Sequence, residues 1–218
     1  MAEAARRHGL SYIAVTDHSQ RLQAINGLNE RRLREQMAEI DRLNQEFGDF
    51  RVLKGIEVDI LEDGQLDLPD SVLRDLDLVI GSIHYRFGMP EAKQTARVLR
   101  AMDNRYFTIL GHPGGRLLNE RPPLALDMER ILHHARDRGC YLELDSQPQR
   151  LELEDRYCRL ARELGVKISI DSDSHSPQGL AHLDWGVAQA RRGWLEPGDV
   201  LNTRPVDQLL PLLWAPRG

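Results

Sequence analysis

The stretch YIAVTDHS, residues 12–19, decides how the chain folds. Tyr12 to Val15 make a short β-rich run, and the run ends on Thr16, Asp17 and His18. Packing alone gives a buried strand no reason to finish on a carboxylate and an imidazole. The same order returns in VLKGIEVD (52–59), LVIGSIHY (78–85), FTILGHPG (107–114), YLELDSQP (141–148) and VKISIDSDSH (166–175). Each is a brief hydrophobic run, as expected of a parallel strand covered on both faces, and each ends in Glu, His or Asp.

Helical periodicity fills the gaps between these runs. The pattern predicts helices over Ala2–His8, Asn29–Phe47, Ser71–Leu76, Glu91–Met102, Asp127–Arg138, Glu154–Leu164 and Leu183–Arg192. The strands are expected at Tyr12–Thr16, Arg51–Val58, Leu78–Ile83, Phe107–Gly111, Tyr141–Leu144 and Lys167–Ile170. Strands alternating with helices at this spacing make an α/β fold with a parallel sheet under helices. No linker or low-complexity segment divides residues 1–218, so one domain is expected. The tail carries a last helix near Val206–Leu213, expected on the outside of the fold.

Composition narrows the function. A net charge of −5 argues against a broadly basic nucleic-acid-binding surface. It leaves open a phosphate substrate whose charge is neutralised locally by bound divalent cations. Only Lys54, Lys93 and Lys167 accompany the many arginines, and guanidinium forks suit phosphate recognition. Cys140 and Cys158 stand alone and are expected to be reduced. No apolar run approaches the roughly 18 to 20 residues that span a bilayer, and the chain reads as cytoplasmic, with no membrane partner.

In parallel α/β folds the working residues sit at the C-terminal ends of the strands. His18, Glu57, His84, His112, Asp173 and His175 all hold that position. Imidazole mixed with carboxylate suits zinc, manganese or iron better than magnesium, and a carboxylate such as Glu57 can bridge two ions. Paired ions activate water and stabilise both oxygens of an in-line displacement at phosphorus. One histidine at a strand end is usually structural; repetition at five strand ends makes the metal reading the stronger one. Arg86, after SIH, and Arg116, after GHPGG, are assigned to gripping phosphate, and Asp17 to orienting ligands. His8, His133, His134 and His182 are read as surface or packing residues, and Asp145 is left between lining the pocket and a structural role.

The ordered set TDH, GIEVD, SIH, GHP and DSDSH resembles the polymerase-and-histidinol-phosphatase (PHP) domain. GSIHYRF, LGHPGGRLL, LELDSQPQRLEL and RRGWLEPGDVLNTRP are similar to segments of the C-terminal PHP domain of bacterial family X DNA polymerases. That resemblance implies a distorted (β/α)7 TIM-like barrel carrying up to three divalent ions, Mn²⁺ or Zn²⁺, in the complete domain. It implies metal-dependent 3′–5′ exonuclease and related phosphoesterase activity on DNA 3′ ends, in a protein whose polymerase domain precedes this one. It carries over His18, Glu57, His84, His112, Asp173 and His175 as ligands, with one ion on Glu57, His84 and His112. The family's first motif, a strand bearing His-x-His, belongs ahead of Tyr12. The chain is therefore expected to form a barrel without its first strand, open between Tyr12–Thr16 and Lys167–Ile170. A small-molecule phosphatase, such as one acting on histidinol phosphate, and an inactive structural module are the rival readings.

Overall fold

The computed structural model describes residues 1–22 and 26–215. Six strands pair in chain order, all parallel, in one curled sheet: β1 (Tyr12–Val15), β2 (Arg51–Asp59), β3 (Leu78–Ser82), β4 (Ile109–Leu110), β5 (Tyr141–Asp145) and β6 (Ile168–Asp171). Helix α1 (Ala2–Arg7) precedes β1. The crossovers carry α2 (Glu30–Phe47), α3 (Asp70–Leu73), α4 (Glu91–Met102), α5 (Met128–Arg138) and α6 (Asp155–Leu164), and α7 (Leu183–Arg192) and α8 (Val206–Trp214) follow β6. Local chemistry sets several ends. Asn29 and Asp127 cap α2 and α5 by accepting from the backbone N–H groups of Arg32 and Arg130, at 3.1 and 3.0 Å. Gly139 and Gly165 end α5 and α6 in the left-handed conformation.

Strand alternation divides the core into two sides. Ile56, Val58 and Val79 face outward and pack against Leu33, Met37 and Val72 of α2 and α3. Leu142, Leu144 and Ile168 do the same against Ile131, Leu132 and Ala161 of α5 and α6. The opposite parity, Leu53, Leu78, Ile80, Ile109 and Tyr141, faces the hollow of the curl and meets Leu201, Leu209 and Leu213. Helix α8 therefore plugs the hollow, a correction to its expected place outside. An apolar inner floor at the N-terminal ends of the strands has to be covered, and the Leu209–Leu213 face of α8 covers it. At the other end the same parity delivers Glu57, Glu143 and Asp171, so the hollow is greasy below and charged above.

The β4 ladder is also shorter than the expected Phe107–Gly111. Thr108 N–H and Gly111 N–H still donate to Val79 and Gly81 of β3, at 2.9 and 3.0 Å, while the ladder positions are Ile109 and Leu110. The Phe107 ring fills the space where a side chain at Gly81 would sit, which explains a glycine in the middle of a strand. Cys140 and Cys158 are buried and free, as expected.

Among the described residues β1 and β6 do not pair, and a cavity of about 1080 Å³ runs between them up to Glu57. Its lower end is tied shut. The Tyr12 hydroxyl donates to the carbonyls of Asn202 and Arg204, both at 3.0 Å. The Asn202 amide covers β6 as a neighbouring strand would, accepting from Ile170 N–H at 3.0 Å and donating to Ile170 O at 2.6 Å. Among the described residues the β1 edge has no such cover. Arg51 N–H donates to Ser11 O and Glu57 N–H to Asp17 O, so odd positions of β1 face β2 and Ala14 presents its N–H and C=O to the open side. Free strand edges template association. Sedimentation velocity should show mass increasing with protein concentration, and Ala14→Pro, which removes only an outward N–H, should suppress the increase. A wild-type chain that stays monomeric at every concentration would contradict this account of the edge.

Candidate metal centre

Glu57 is the meeting point of the strand ends. The TDHS segment runs beside the end of β2, with Glu57 N–H on Asp17 O at 3.0 Å and Ser19 N–H on Glu57 O at 2.9 Å. That pairing sets His18 against the Glu57 side chain, His18 Nδ1 lying 3.1 Å from Oε2. The other carboxylate oxygen faces two imidazoles, His84 Nε2 at 3.2 Å and His112 Nε2 at 2.9 Å. The rings of His18 and His84 are 5.0 Å apart and those of His84 and His112 5.1 Å, both edge-on. Donor atoms of His18, Glu57 and His84 all lie within 4.8 Å of one another. Glu57 and His112 are buried, and His18 and His84 are mostly covered.

A residue that sequence reasoning passed over holds His84 in place. Asp59, two positions beyond Glu57 on the same face of β2 and 1% exposed, accepts from His84 Nδ1 at 3.0 Å. This fixes the orientation of the ring and turns Nε2 toward Glu57. Burial works against a charge on His84, but the hydrogen bonds to Asp59 and Glu57 overcome it and push the imidazole up to about 9. Burial likewise works against the Glu57 anion. The hydrogen bonds from His112 and His84 reverse the effect and hold the carboxyl well below the usual range. His18 is lowered, because desolvation outweighs its attraction to Glu57.

A second acidic row lies beside the cluster. Glu143 on β5 is 5% exposed, and its carboxylate accepts from the backbone N–H of His112. His112 adopts a positive φ of 25°, so this contact holds a backbone conformation that histidine does not adopt freely. Burial and then the neighbouring Asp171 push Glu143 well above the usual carboxylate range. Asp171 on β6 rises to about 7 through burial and then Asp173. Asp145 rises to about 8 through burial and then Asp173 and Asp171. The signal for Asp59, Glu143 and Asp171 was present in the strand parity, which puts Glu57 and Asp59 on one face and aligns Glu143 and Asp171 with it.

The remaining expected site residues are dispersed. Asp173 is partly covered with φ 41°, and His175 stands at the lip, its side chain 70% exposed and its ring 6.0 Å from that of His18. Asp17 does not orient a histidine. Its carboxylate accepts from the Gln36 amide on α2, and Asp59 does the orienting instead. Arg86 is exposed and faces Glu62 at 3.4 Å. Arg116 is spent on the chain itself, donating from Nε to Arg150 O at 2.8 Å and from Nη2 to Leu151 O, with Glu154 3.6 Å away. Neither guanidinium is free over the cluster as the sequence led one to expect. Asp145 is fully buried and paired with Arg150 at 3.2 Å, the structural of its two roles.

The donor set fits a borderline divalent cation. Three imidazoles and one ionised carboxylate converge, and the buried His18 Nδ1, 3.1 Å from Glu57 Oε2, makes no aligned hydrogen bond among the described residues. Such a nitrogen is costly unless something else takes its lone pair.

No family model matches the chain. It is 44% identical over 204 residues to the DNA polymerase/3′-5′ exonuclease PolX of Bacillus subtilis, a match covering 94% of this chain and 36% of that protein. It is 30% identical over 192 residues to a probable phosphatase of Acetivibrio thermocellus, covering 84% of the chain and 75% of the relative. The crystal structure of histidinol phosphate phosphatase from Lactococcus lactis, complexed with zinc, L-histidinol and phosphate, superposes with a TM-score of 0.62 at 16% identity, over 89% of this chain and 86% of that one. With the curled parallel sheet and the histidines at its strand ends, these likenesses place the chain in the PHP family.

Proposed function

We propose that the chain is a metal-dependent phosphoesterase that removes nucleotides from DNA 3′ ends, as the exonuclease part of a longer family X polymerase whose polymerase domain precedes it. The observation that carries this reading is Glu57 with imidazoles on both carboxylate oxygens, at the mouth of a parallel curl. The kinship to the B. subtilis protein supports the choice of DNA, and since the chain spans 36% of that protein, the activity of the whole belongs to the proposal.

His18, Glu57, His84 and His112 would hold the ions, with Asp173 and His175 at the lip; Mn²⁺ and Zn²⁺ both suit this donor set. A bound ion supplies Lewis acidity, lowering the pKa of water and stabilising charge on the phosphoryl oxygens. The chain's own part is to prepare the donors. Glu57 stays ionised at neutral pH because His84 and His112 donate to it. Asp59 keeps the His84 Nδ1 proton away from the site. Glu143 holds the His112 backbone so that Nε2 reaches Glu57. The cavity that runs up to Glu57 between β1 and β6 reaches His18, Asp173 and His175 and leaves room for a ligand beside the cluster.

A second reading, a phosphatase for a small phosphomonoester, is favoured by the probable phosphatases that this chain matches over most of their length. Release of nucleotides from a labelled 3′ end in Mn²⁺, set against phosphate release from histidinol phosphate, separates the two. Nucleotide release that disappears in Glu57→Ala and His84→Ala is the expected outcome. Turnover of histidinol phosphate with no action on DNA would replace the exonuclease, and metal binding without cleavage of either substrate would leave a structural module. Asp59→Asn should weaken Mn²⁺ binding about 10- to 100-fold in a calorimetric titration while leaving the fold intact.

Metal-free stability should depend on pH with a fixed sign. His84, raised from 6.5 to about 9, contributes stability that is complete below pH 6.5 and is lost as pH rises through about 9. Asp171 and Asp145, raised from 3.8 to about 7 and about 8, act in the same direction as they lose their protons inside the fold. The lowered His18 acts only below 6.5. The Tm of chelator-treated protein should therefore fall between pH 6.5 and 9. Mn²⁺ should flatten or invert that slope, because a cation takes the place of the protons. A metal-free Tm rising across this range would contradict the assignment of buried protons.

A further inference from the structure

Two guanidinium groups on the loops that follow strand ends of the cluster have no ion pair among the described residues, and each lies on an aromatic ring. Arg21, three residues beyond His18 and exposed, sits with Cζ 3.9 Å from the centre of the Tyr85 ring. Tyr85 directly follows His84. The segment beneath is pinned by Arg97, 2% exposed, whose Nη1 donates to Tyr85 O at 3.1 Å and whose Nε donates to Leu61 O at 2.9 Å. Two residues beyond Tyr85, the Phe87 ring lies under Arg121, Cζ to centre 4.1 Å. Arg121 is tied by Nε to Gly115 O at 2.8 Å, and Gly115 N–H donates to His112 O at 2.8 Å. One pair is thus joined to the His18 and His84 side of the cluster and the other to the His112 side.

Nearby arginines contrast with these two. Arg86 faces Glu62, Arg116 faces Glu154, and Arg150 faces Asp145 and Glu152. In a chain of net charge −5, a cation left without a carboxylate beside a cluster of anionic side chains is available to an anionic ligand. The paired chemistry is specific. Guanidinium forks take phosphates, and a ring under a guanidinium fixes the direction in which its N–H groups point.

We propose that Arg21–Tyr85 and Arg121–Phe87 form the grip for a single-stranded polynucleotide whose 3′ end reaches the Glu57 cluster. The two arginines bind backbone phosphates of successive nucleotides, and the rings beneath them hold the guanidiniums in place, Tyr85 itself lying between Arg21 and Arg97. This rests on the nucleic-acid reading above and deepens it: the site takes a strand several nucleotides long, and a mononucleotide engages only part of it.

Binding of a fluorescent oligothymidylate of about ten nucleotides to the full chain, followed by anisotropy in chelator, tests the grip without calling on catalysis. Wild-type affinity should fall with salt between about 50 and 200 mM, and Arg21→Ala and Arg121→Ala should each weaken it about tenfold and reduce the salt slope by about 1. Tyr85→Leu and Phe87→Leu should weaken binding without changing the slope, since no charge is lost. Arg159→Ala, on the outer face of α6, should change nothing. Circular dichroism on each variant separates loss of the grip from loss of the fold. Unchanged affinity and slope in folded Arg21→Ala/Arg121→Ala, or a wild type that binds no oligonucleotide at low salt, overturns the proposal. Oligonucleotide binding that follows these expectations, with no nucleotide release in Mn²⁺, would sink the exonuclease reading and leave the grip standing.

Discussion

A single buried carboxylate, Glu57, sits among three imidazoles, and much of the rest of the fold serves to make that arrangement tolerable. Desolvating an anion costs several kcal/mol unless partners are close and well aimed. Here the partners come from three different strand ends, β1, β3 and β4, each delivered by a parallel ladder in register with β2 or its neighbour. A slip of one residue in β2 would turn Glu57 outward among Leu33, Met37 and Val72 and put Val58 in the hollow. Register is therefore enforced twice, by grease on one face and by charge on the other.

Close packing of like charges is the second consequence. Glu143, Asp171 and Asp145 crowd the same end of the hollow, and the fold accommodates them by leaving protons on some of them instead of supplying counter-ions. Arg150 answers Asp145, but the Glu143–Asp171 pair has no cationic partner among the described residues and is held by each other, the His112 and Asp173 backbone N–H groups and the Ser169 hydroxyl. Once it loses those protons such a wall repels a phosphate, and cations standing in between would offset the repulsion, which links the acid row to the cluster although it holds none of the three imidazoles.

Most of the architecture was legible because parallel strands buried on both sides leave a strong mark: short apolar runs with no alternation, separated by helical periods. The strand ends were legible for the same reason, since a polar residue closing such a run stands out. Asp59 was missed because it closes its run two positions after a more conspicuous carboxylate, and only the parity of β2 shows that both face inward. The arginines misled because a guanidinium can be satisfied by backbone carbonyls. Arg116 is held by Arg150 and Leu151, thirty-odd positions away along the chain, and no local pattern reveals such a contact. Helix α8 misled because its apolar face reads the same whether it covers the outside of a sheet or plugs the inside. The choice depends on how far the sheet curls.

A division of labour between strands and loops accounts for an exonuclease-bearing polymerase and probable phosphatases sharing one fold. The Glu57 cluster sits on strand ends locked by ladder hydrogen bonds and by Asp59, and any change there disturbs both faces of the sheet. Arg21, Phe87 and Arg121 sit on the loops between strands and helices, where a substitution costs the core little. Loop residues can therefore change with the substrate while the buried cluster stays the same. On the reading proposed above, the choice between a polynucleotide end and a small phosphoester would fall to these loops, by which of them carry rings and guanidiniums, with the buried cluster common to both.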